Sequence, residues 1–234
     1  ISFANAIAHG DYSFNFQASE GDQLGSALQN MRTNLIESTN REKQDRYLNV
    51  GLAEVADIIR KHGGNLSEMS DKLISYLVKY LEANQGGLFM VTESGNEKYL
   101  ELTSCYAYDR KKYIHKRVDI GQGMVGQCYL EKEIIYLKEI PREYVKITSG
   151  LGESTPSTLL IVPMISNEIV EGVLEIASFE EFEQYQIKFL EKVGESIASS
   201  LNTAKVNERI KHLYEESQQQ AEEMRAQEEE MRQN

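Results

Sequence analysis

The sequence predicts an α+β fold: a six-stranded antiparallel sheet with helices on its faces, flanked by long amino-terminal and carboxy-terminal coiled-coil helices. Two observations lead to this prediction. In the middle of the chain, short segments rich in β-branched and aromatic residues follow one another, and turns of hairpin length join two pairs of them. At both ends, apolar residues recur at spacings of three and four, which is the period of a helix with one buried face.

The amino-terminal region contains two helical stretches before the first helix of the folded domain. The first apolar stripe consists of Leu24, Leu28, Met31 and Leu35. The stripe resumes in a shifted frame over residues 48–59, after the polar positions 37–47. A further helix is expected over 67–83, where one face is apolar, and it ends at the turn residues 84–87.

Six strands are expected after this helix, over residues 88–92, 99–108, 115–120, 134–137, 158–164 and 169–178. The turn-rich residues 93–96 join the first two strands, and residues 166–168 join the last two. Because connections this short join neighbouring strands that run in opposite directions, the sheet is expected to be antiparallel. The connection 138–157 is long enough to be a lid or a binding loop.

The carboxy-terminal region is predicted to be one long helix. Ser178 and Glu181 have the spacing of a capping box, and helical periodicity then runs from about residue 181 to beyond 230. At ~1.5 Å per residue this helix is about 75 Å long, so most of its second half must project from the domain. Its heptad positions are Ile210, Leu213, Ser217, Gln220, Met224, Gln227 and Met231. Because several of these residues are polar, a coiled coil and a solvated single helix both agree with the pattern.

Composition argues against several classes of function. Lysine and arginine number 25 and aspartate and glutamate 37, so the net charge of −12 argues against nucleic acid or an anionic membrane surface as a partner. No run approaches the roughly 18 to 20 consecutive apolar residues of a membrane-spanning helix. The two cysteines, Cys105 and Cys128, are too few for a disulfide-stapled domain or a zinc cluster, and they favour a reducing cytoplasm.

Residues 121–126, Gly-Gln-Gly-Met-Val-Gly, match the GxGxxG pattern of dinucleotide-binding proteins. That fold requires a fully buried parallel strand before the glycines and a long helix after them. Residues 115–120 are too polar for such a strand and the following helix is short, so a nicotinamide or flavin dinucleotide site is not expected. The glycines are better explained as a tight turn into a short helix.

Three segments carry a resemblance to a known family. They are IGQGMVGQCYLEKEIIYL, LLIVPMISNEIVEGVLEIASF and FEQYQIKFLEKVGESIASSL. In order and spacing they resemble the glycine-rich turn, the final hairpin and the closing helix of the GAF domain, a small-molecule-binding or protein-interaction module of bacterial signalling proteins. The resemblance implies a GAF-like fold over residues 63–202. The sequence requires no cofactor.

The stretch IAHGDYSFNFQASEGDQLGSALQNMRTNL resembles the later part of a HAMP relay domain, although Gln23 stands where that family usually has glutamate. The resemblance implies a partial HAMP domain over 1–36, a signalling helix or linker over 37–62 and, after the GAF domain, a coiled-coil linker over 203–234. A HAMP domain normally follows a transmembrane helix directly. We therefore expect the parent protein to be anchored in the inner membrane, with this region in the cytoplasm.

No catalytic apparatus is evident in the sequence. None of the four histidines lies in a setting like that of the phospho-acceptor of sensor kinases, and no GxxxxGK[ST] loop is present. Cys105 and Cys128 invite comparison with the GAF-fold reductases of free methionine sulfoxide, but they are more simply explained as small buried hydrophobic residues. The chain is therefore expected not to be an enzyme.

Strand alternation indicates where a ligand would bind. On the last strand, Leu174 and Ile176 would pack beneath the helices, which leaves Glu175 on the other face, where a GAF ligand usually lies. A carboxylate in an apolar cavity needs a partner, which Arg110 or Lys112 could supply. The expected ligand-binding residues are Tyr106, Tyr108, Arg110, Met124, Cys128, Leu160 and Glu175. The alternative is that the tyrosines only cover the sheet and that Glu175 is solvated.

These features predict a sensory and relay module of a dimeric, membrane-anchored bacterial signal transduction protein, most simply a sensor histidine kinase. Its helices would pass small-molecule or mechanical signals to an output domain further along the chain. A homodimer through parallel helices is expected, because the apolar stripes would otherwise be exposed to water. Two alternatives remain: a ligand-free GAF domain that serves as a dimerisation spacer, and a GAF-fold redox enzyme.

Overall fold

The computed structural model describes residues 22–95, 97–107, 110–112, 116–140, 148–149, 152–153 and 156–233. The chain divides into two units, Ile1–Gly51 and Leu52–Asn234. Most of the expected partial HAMP domain, residues 1–36, lies outside the described residues, and its described part is helical. The sheet and the helices that cover it belong to the second unit.

Two helices precede the sheet. Helix α1 spans Gln23–His62 and runs unbroken through the boundary expected between residues 36 and 37. Asp22 caps its first turn by accepting a hydrogen bond from the Gly25 N–H at 2.9 Å. Helix α2 spans Leu66–Tyr80, and the Asn65 side chain caps it in the same way. The helix expected over 67–83 is therefore confirmed, with an earlier end.

The strands of the described residues are β1 Gln85–Ser94, β2 Glu97–Ala107, β3 Arg110–Lys112, β4 Arg117–Asp119, β5 Ile135–Leu137, β6 Thr148–Ser149, β7 Gly152–Glu153, β8 Thr158–Ser166 and β9 Ile169–Ser178. Helix α3, Gly123–Glu131, lies between β4 and β5, and helix α4, Gln184–Gln233, follows β9. The main sheet has the order β3-β2-β1-β9-β8-β5, and β4 also pairs with β2. Every pairing is antiparallel, which confirms the predicted fold class.

The two faces of the sheet carry different helices. Gly86 in β1 faces α2, because a methyl group added there would lie 2.7 Å from Val78 and 2.8 Å from Ile74. Ile176 of β9 lies at the same point on the same face. Helix α4 crosses β8 on this face, where a methyl group on Gly194 would lie 3.2 Å from the Pro163 carbonyl oxygen. We call this side of the sheet the α2/α4 face.

Helix α4 is both a core element and a projecting helix. Phe189, Leu190, Val193 and Ile197 are fully buried, and the Phe189 ring lies 5.2 Å from that of Tyr80 in α2. The capping box expected at Ser178 and Glu181 does not form. Glu181 pairs with Lys138 at 2.5 Å instead, and the helix begins at Gln184. Its second half is exposed, as its length requires.

An ion pair fixes α4 at the point where it leaves the sheet. The carboxylate of Glu171 in β9 is buried and accepts a hydrogen bond from the Lys205 ammonium group of α4. A buried carboxylate is costly unless it is paired, so this contact restrains the helix against the end of the sheet. None of the helices in the described residues is long and apolar enough to span a membrane.

We predict that Gly172→Ala destabilises the domain by about 1–3 kcal/mol or more, because it overpacks the contact between β9 and β1. A methyl group at this position would lie 2.3 Å from the Phe89 carbonyl oxygen, a backbone atom that cannot move aside alone. Urea unfolding followed by circular dichroism measures the effect. Gly64→Ala is the control, since nothing lies within 4 Å of that position. Equal midpoints for the two variants would contradict the close approach of the strands.

Candidate ligand-binding site

A row of residues crosses the sheet at the level of Glu175. The strand register places Gly87 of β1 beside Glu175, and Cys105 of β2 beside Gly87. On the other side, Glu175 is beside Ile161 of β8, which in turn pairs with Ile135 of β5. Residues directly opposite one another on antiparallel strands point to the same face. Glu175 therefore stands between a glycine and an isoleucine, and the row ends on the β3 side with Lys112, which pairs with Cys105.

Helix α3 covers this side of the sheet, which we call the α3 face. Its buried cluster consists of Phe89, Leu100, Leu102, Cys105, Val125, Cys128, Leu159, Ile161, Val173 and Ala177. Met124 and Ile140 are partly buried and pack against the cluster. Glu175 is half-buried on the same face. A largely apolar wall with a few polar groups is typical of small-molecule sites.

The glycine-rich turn brings α3 onto this face. Gly121 and Gly123 have φ values of 79° and 60°, which favour glycine. Gly126 is required for a different reason, because a methyl group there would lie 2.5 Å from the Asp119 carbonyl oxygen. The strand before the turn, β4, is a three-residue edge strand antiparallel to β2. The GxGxxG pattern therefore shapes a tight turn, and the strand before it is not the buried parallel strand of a dinucleotide-binding fold.

Three of the seven expected site residues share the α3 face. Met124 and Cys128 belong to α3 and pack on the cluster, and Glu175 lies in the row described above. Arg110 is in β3 opposite Ala107, two residues beyond Cys105 in β2. Tyr108 lies outside the described residues.

Two expected site residues lie on the opposite face. Tyr106 pairs with Gly86 in register. The Lys79 ammonium group of α2 lies over its ring, 5.5 Å from the ring centre. Leu160 pairs with Ile176, which also faces the helices. Their grouping with Glu175 was wrong, so neither can line a site on the α3 face. Both are core residues of the α2/α4 face.

A bulge explains the misplacement of Tyr106. The register between β1 and β2 shifts between Leu88 and Phe89, so that β2 has one extra residue at this point. Beyond the bulge, Cys105 and Ala107 face α3, while Ser104 and Tyr106 face α2. The Ser104 hydroxyl donates to Asp71 of α2 at 2.6 Å, which agrees with this assignment.

Sequence reasoning omitted Gly87 and Cys105 from the site, although they lie closer to Glu175 in the sheet than any expected aromatic residue. A methyl group at Gly87 would lie 3.3 Å from both Leu102 and Phe89. The consecutive glycines in the first strand were the available signal. Gly86 allows α2 to pack closely on the α2/α4 face. Gly87 has no side chain to fill the space beside Glu175 on the α3 face.

Neither cysteine forms a disulfide bond, and both are buried. Burial raises the pKa of Cys128 from 9.0 to about 12, and the nearby Glu131 adds to the shift. The Cys128 thiol donates to the Glu133 carbonyl oxygen at 3.3 Å. Because the thiolate is the nucleophile in cysteine chemistry, Cys128 is not activated at neutral pH. Within the described ranges, no group of three histidine, cysteine or acidic side chains is placed to hold a metal ion.

Comparison with known families and structures agrees with this geometry. The family model of the GAF domain matches residues 64–202, and the chain belongs to the GAF domain family. This is a sensory and regulatory fold. Comparison with curated proteins gives no match.

Solved structures with the same fold come from different kinds of protein. The GAF domain of a phosphoenolpyruvate-protein phosphotransferase from Acinetobacter has 16% identity and a TM-score of 0.54, over 68% of this chain and 96% of that one. The A. aeolicus nlh2 GAF domain in an inactive state has 16% identity and a TM-score of 0.53, over 69% and 99%. A free methionine-R-sulfoxide reductase from Neisseria meningitidis, in complex with its substrate, has 13% identity and a TM-score of 0.50, over 71% and 90%. These likenesses establish the fold alone.

We predict that the Cys128 thiol does not react with iodoacetamide in the folded protein near neutral pH. Its pKa of about 12 leaves almost no thiolate, and the side chain is fully buried. The Cys105→Ala variant leaves Cys128 as the single thiol, and mass spectrometry counts the adducts. The same variant unfolded in urea is the control and should be fully modified.

Replacing both cysteines by alanine should leave the fold intact at a packing loss of about 1–2 kcal/mol. The raised thiol pKa also has a pH consequence: the stability that it contributes is complete below pH 9.0 and is lost as the pH rises towards 12. Rapid alkylation of native Cys128, or a methionine sulfoxide reductase activity that the double variant lacks, would contradict the structural role.

Proposed function

We propose that this chain is the cytoplasmic sensory and relay module of a dimeric, membrane-anchored bacterial signal transduction protein, specifically a sensor histidine kinase of a two-component system. One observation carries the proposal. A GAF domain lies between two long helices, the 40-residue α1 that precedes it and the 50-residue α4 that follows it. A domain that only bound a metabolite would not need helices of this length.

The amino-terminal resemblance supports the membrane context. A partial HAMP domain over 1–36 would receive a signal from a transmembrane helix of the parent protein in the inner membrane. Helix α1 would carry it on, and the linker over 203–234 would pass the combined signal to an output domain in the same chain. The relay is a shear or rotation of packed helices, the kind of two-state change that helix interfaces support.

The α3 face is the proposed sensory site. Glu175 supplies the polar group, Gly87 and Ile161 flank it, and Met124 and Cys128 lie in the covering helix. A small ligand that is partly apolar and neutral or cationic suits a half-buried carboxylate flanked by a glycine and an isoleucine, whereas an anion would be repelled.

The ligand-free spacer is the second candidate, and the apolar cluster of the α3 face favours it. Leu102, Val125 and Val173 already bury one another there. The redox-enzyme alternative finds less support. A neighbour in structure is a free methionine-R-sulfoxide reductase, but the raised pKa of Cys128 opposes thiol chemistry here. We therefore propose a non-enzymatic role.

We predict that a thermal-shift screen of small cationic molecules finds compounds that stabilise the protein and that Glu175→Gln weakens their binding by about 1–3 kcal/mol. This is the usual range for a hydrogen bond to a charged group, and the substitution keeps the size of the side chain. Glu101→Gln, at an exposed position of β2, is the matched control. Equal stabilisation of both variants would eliminate the Glu175 site, and a screen without any stabilising compound would favour the spacer.

We predict that the chain is a parallel dimer in solution, with a mass by light scattering near twice 26.7 kDa at micromolar concentration. The exposed residues Ile210 and Leu213 of α4 are 58% and 55% accessible and would be buried in a coiled coil. Ile210→Asp/Leu213→Asp should raise the dimer dissociation constant at least about tenfold.

Gln218→Asp/Gln219→Asp is the control for the dimer, because it adds the same two charges to the same helix away from the heptad seam. This control should leave the mass unchanged. A monomeric mass for the unaltered protein, or equal weakening by both variants, would refute the coiled-coil contact. A cysteine introduced at a seam position should crosslink to its counterpart in a parallel dimer. Failure to crosslink would indicate an antiparallel arrangement.

A further inference from the structure

A groove lies at the β8 edge of the sheet, between helix α4 and the residues that follow helix α3. Its volume is about 650 Å³. Val162, Pro163 and Ile165 of β8 form its floor together with Ile134, which precedes β5. Glu191 and Glu195 of α4 form one wall, and Lys132 and Glu133 form the other. No step of the relay described above uses this groove.

The edge of β8 next to the groove is not suited to pairing with another strand. Within the described residues, β5 pairs with β8 only from Leu159 to Ile161, so the later part of β8 has a free edge. Pro163 lies in that part and has no N–H to donate to an added strand. The groove is also of the size of a small-molecule site, for which about 300–1,000 Å³ is usual. A compact ligand is therefore a better occupant than a peptide strand.

The charges around the groove select the chemistry of that ligand. Three carboxylates and one ammonium group line it, and the Lys132 ammonium group is already hydrogen-bonded to the Glu168 carbonyl oxygen at 2.6 Å. Glu195 pairs with Lys192 at 2.7 Å, an exposed contact that a ligand can replace at little cost. Glu191 and Glu195 lie one helical turn apart on the same side of α4.

We propose that this groove binds an aliphatic di- or polyamine. The ammonium groups would bind the carboxylates of Glu191 and Glu195 on one wall and Glu133 on the other. The methylene chain between them would lie on Val162, Pro163 and Ile165. The apolar floor distinguishes such a ligand from a metal ion or a simple cation. Helix α4 forms one wall of the groove and is also the helix that we propose leads to the output domain. A ligand in the groove would therefore contact that helix directly.

Isothermal titration calorimetry with spermidine and putrescine tests the site. Glu191→Gln/Glu195→Gln should weaken spermidine binding about tenfold or more, because it removes two charge-assisted hydrogen bonds. Glu215→Gln/Glu216→Gln, which removes the same charge from the exposed part of α4, should leave the affinity unchanged. Ethylenediamine, which has a much shorter methylene chain to lie on the apolar floor, should bind much more weakly than spermidine.

Each other outcome would overturn the proposal. If neither amine binds to the unaltered protein, the proposal is refuted. Equal weakening by the two double variants would indicate bulk attraction of the amine to an acidic protein. Loss of binding in Glu175→Gln alone would place the amine on the α3 face, which refutes the groove but supports the proposed sensory site. A change of dimer mass in Glu191→Gln/Glu195→Gln would show that a second copy of the chain occupies the groove.

Discussion

The antiparallel pairing of β1 with β9 is the contact on which the rest of the structure depends. It joins the first hairpin of the sheet to the last, over a register that runs from Gln85 opposite Ala177 to Met90 opposite Gly172. No short turn helps to form it, because the two strands are far apart in sequence. The pairing depends on side chains that bury themselves on both faces, and on a glycine at position 172, where the Phe89 backbone leaves no room for a methyl group.

This pairing also determines which residues lie on each face of the sheet. Alternate residues of β9 point to opposite sides, so Leu174 and Ile176 join the helical core while Val173 and Ala177 join the cluster under α3. Glu175 can be half-buried on the α3 face because its neighbour across the pairing is Gly87, which has no side chain to exclude it. A side chain at position 87 would fill the space beside Glu175.

The sequence was sufficient to predict the fold and insufficient to predict the site. Glycine turns, hairpin spacings and the resemblance to GAF domains led to the correct sheet, because these features act locally and are visible in the order of residues. The sides of Tyr106 and Leu160 were predicted wrongly because they depend on register. A bulge in β2 reverses the alternation within a few residues, and beyond it Ser104 and Tyr106 contact α2, a tertiary contact that no local pattern reports.

The start of helix α4 was predicted wrongly for a related reason. Ser178 and Glu181 have the correct spacing for a capping box, but Ser178 ends a strand and Glu181 pairs with Lys138 across the domain. A capping box requires both residues to be free for the helix start, and here tertiary contacts hold them first. The helix consequently begins at Gln184, after a turn in which the Gln186 side chain accepts a hydrogen bond from the Glu183 N–H at 2.8 Å.

The position of α4 limits how a signal could pass through the molecule. Between Phe189 and Ala198 the helix is part of the core, and close packing at Gly194 prevents it from sliding over β8 without a change in the sheet. Beyond Lys205 the described side chains of the helix are exposed. A change in the shape of the sheet must therefore either move the helix as a rigid body or separate Lys205 from the buried Glu171 carboxylate. Because an unpaired buried carboxylate is strongly unfavourable, rigid movement costs less, and the exposed half of α4 would move with the domain.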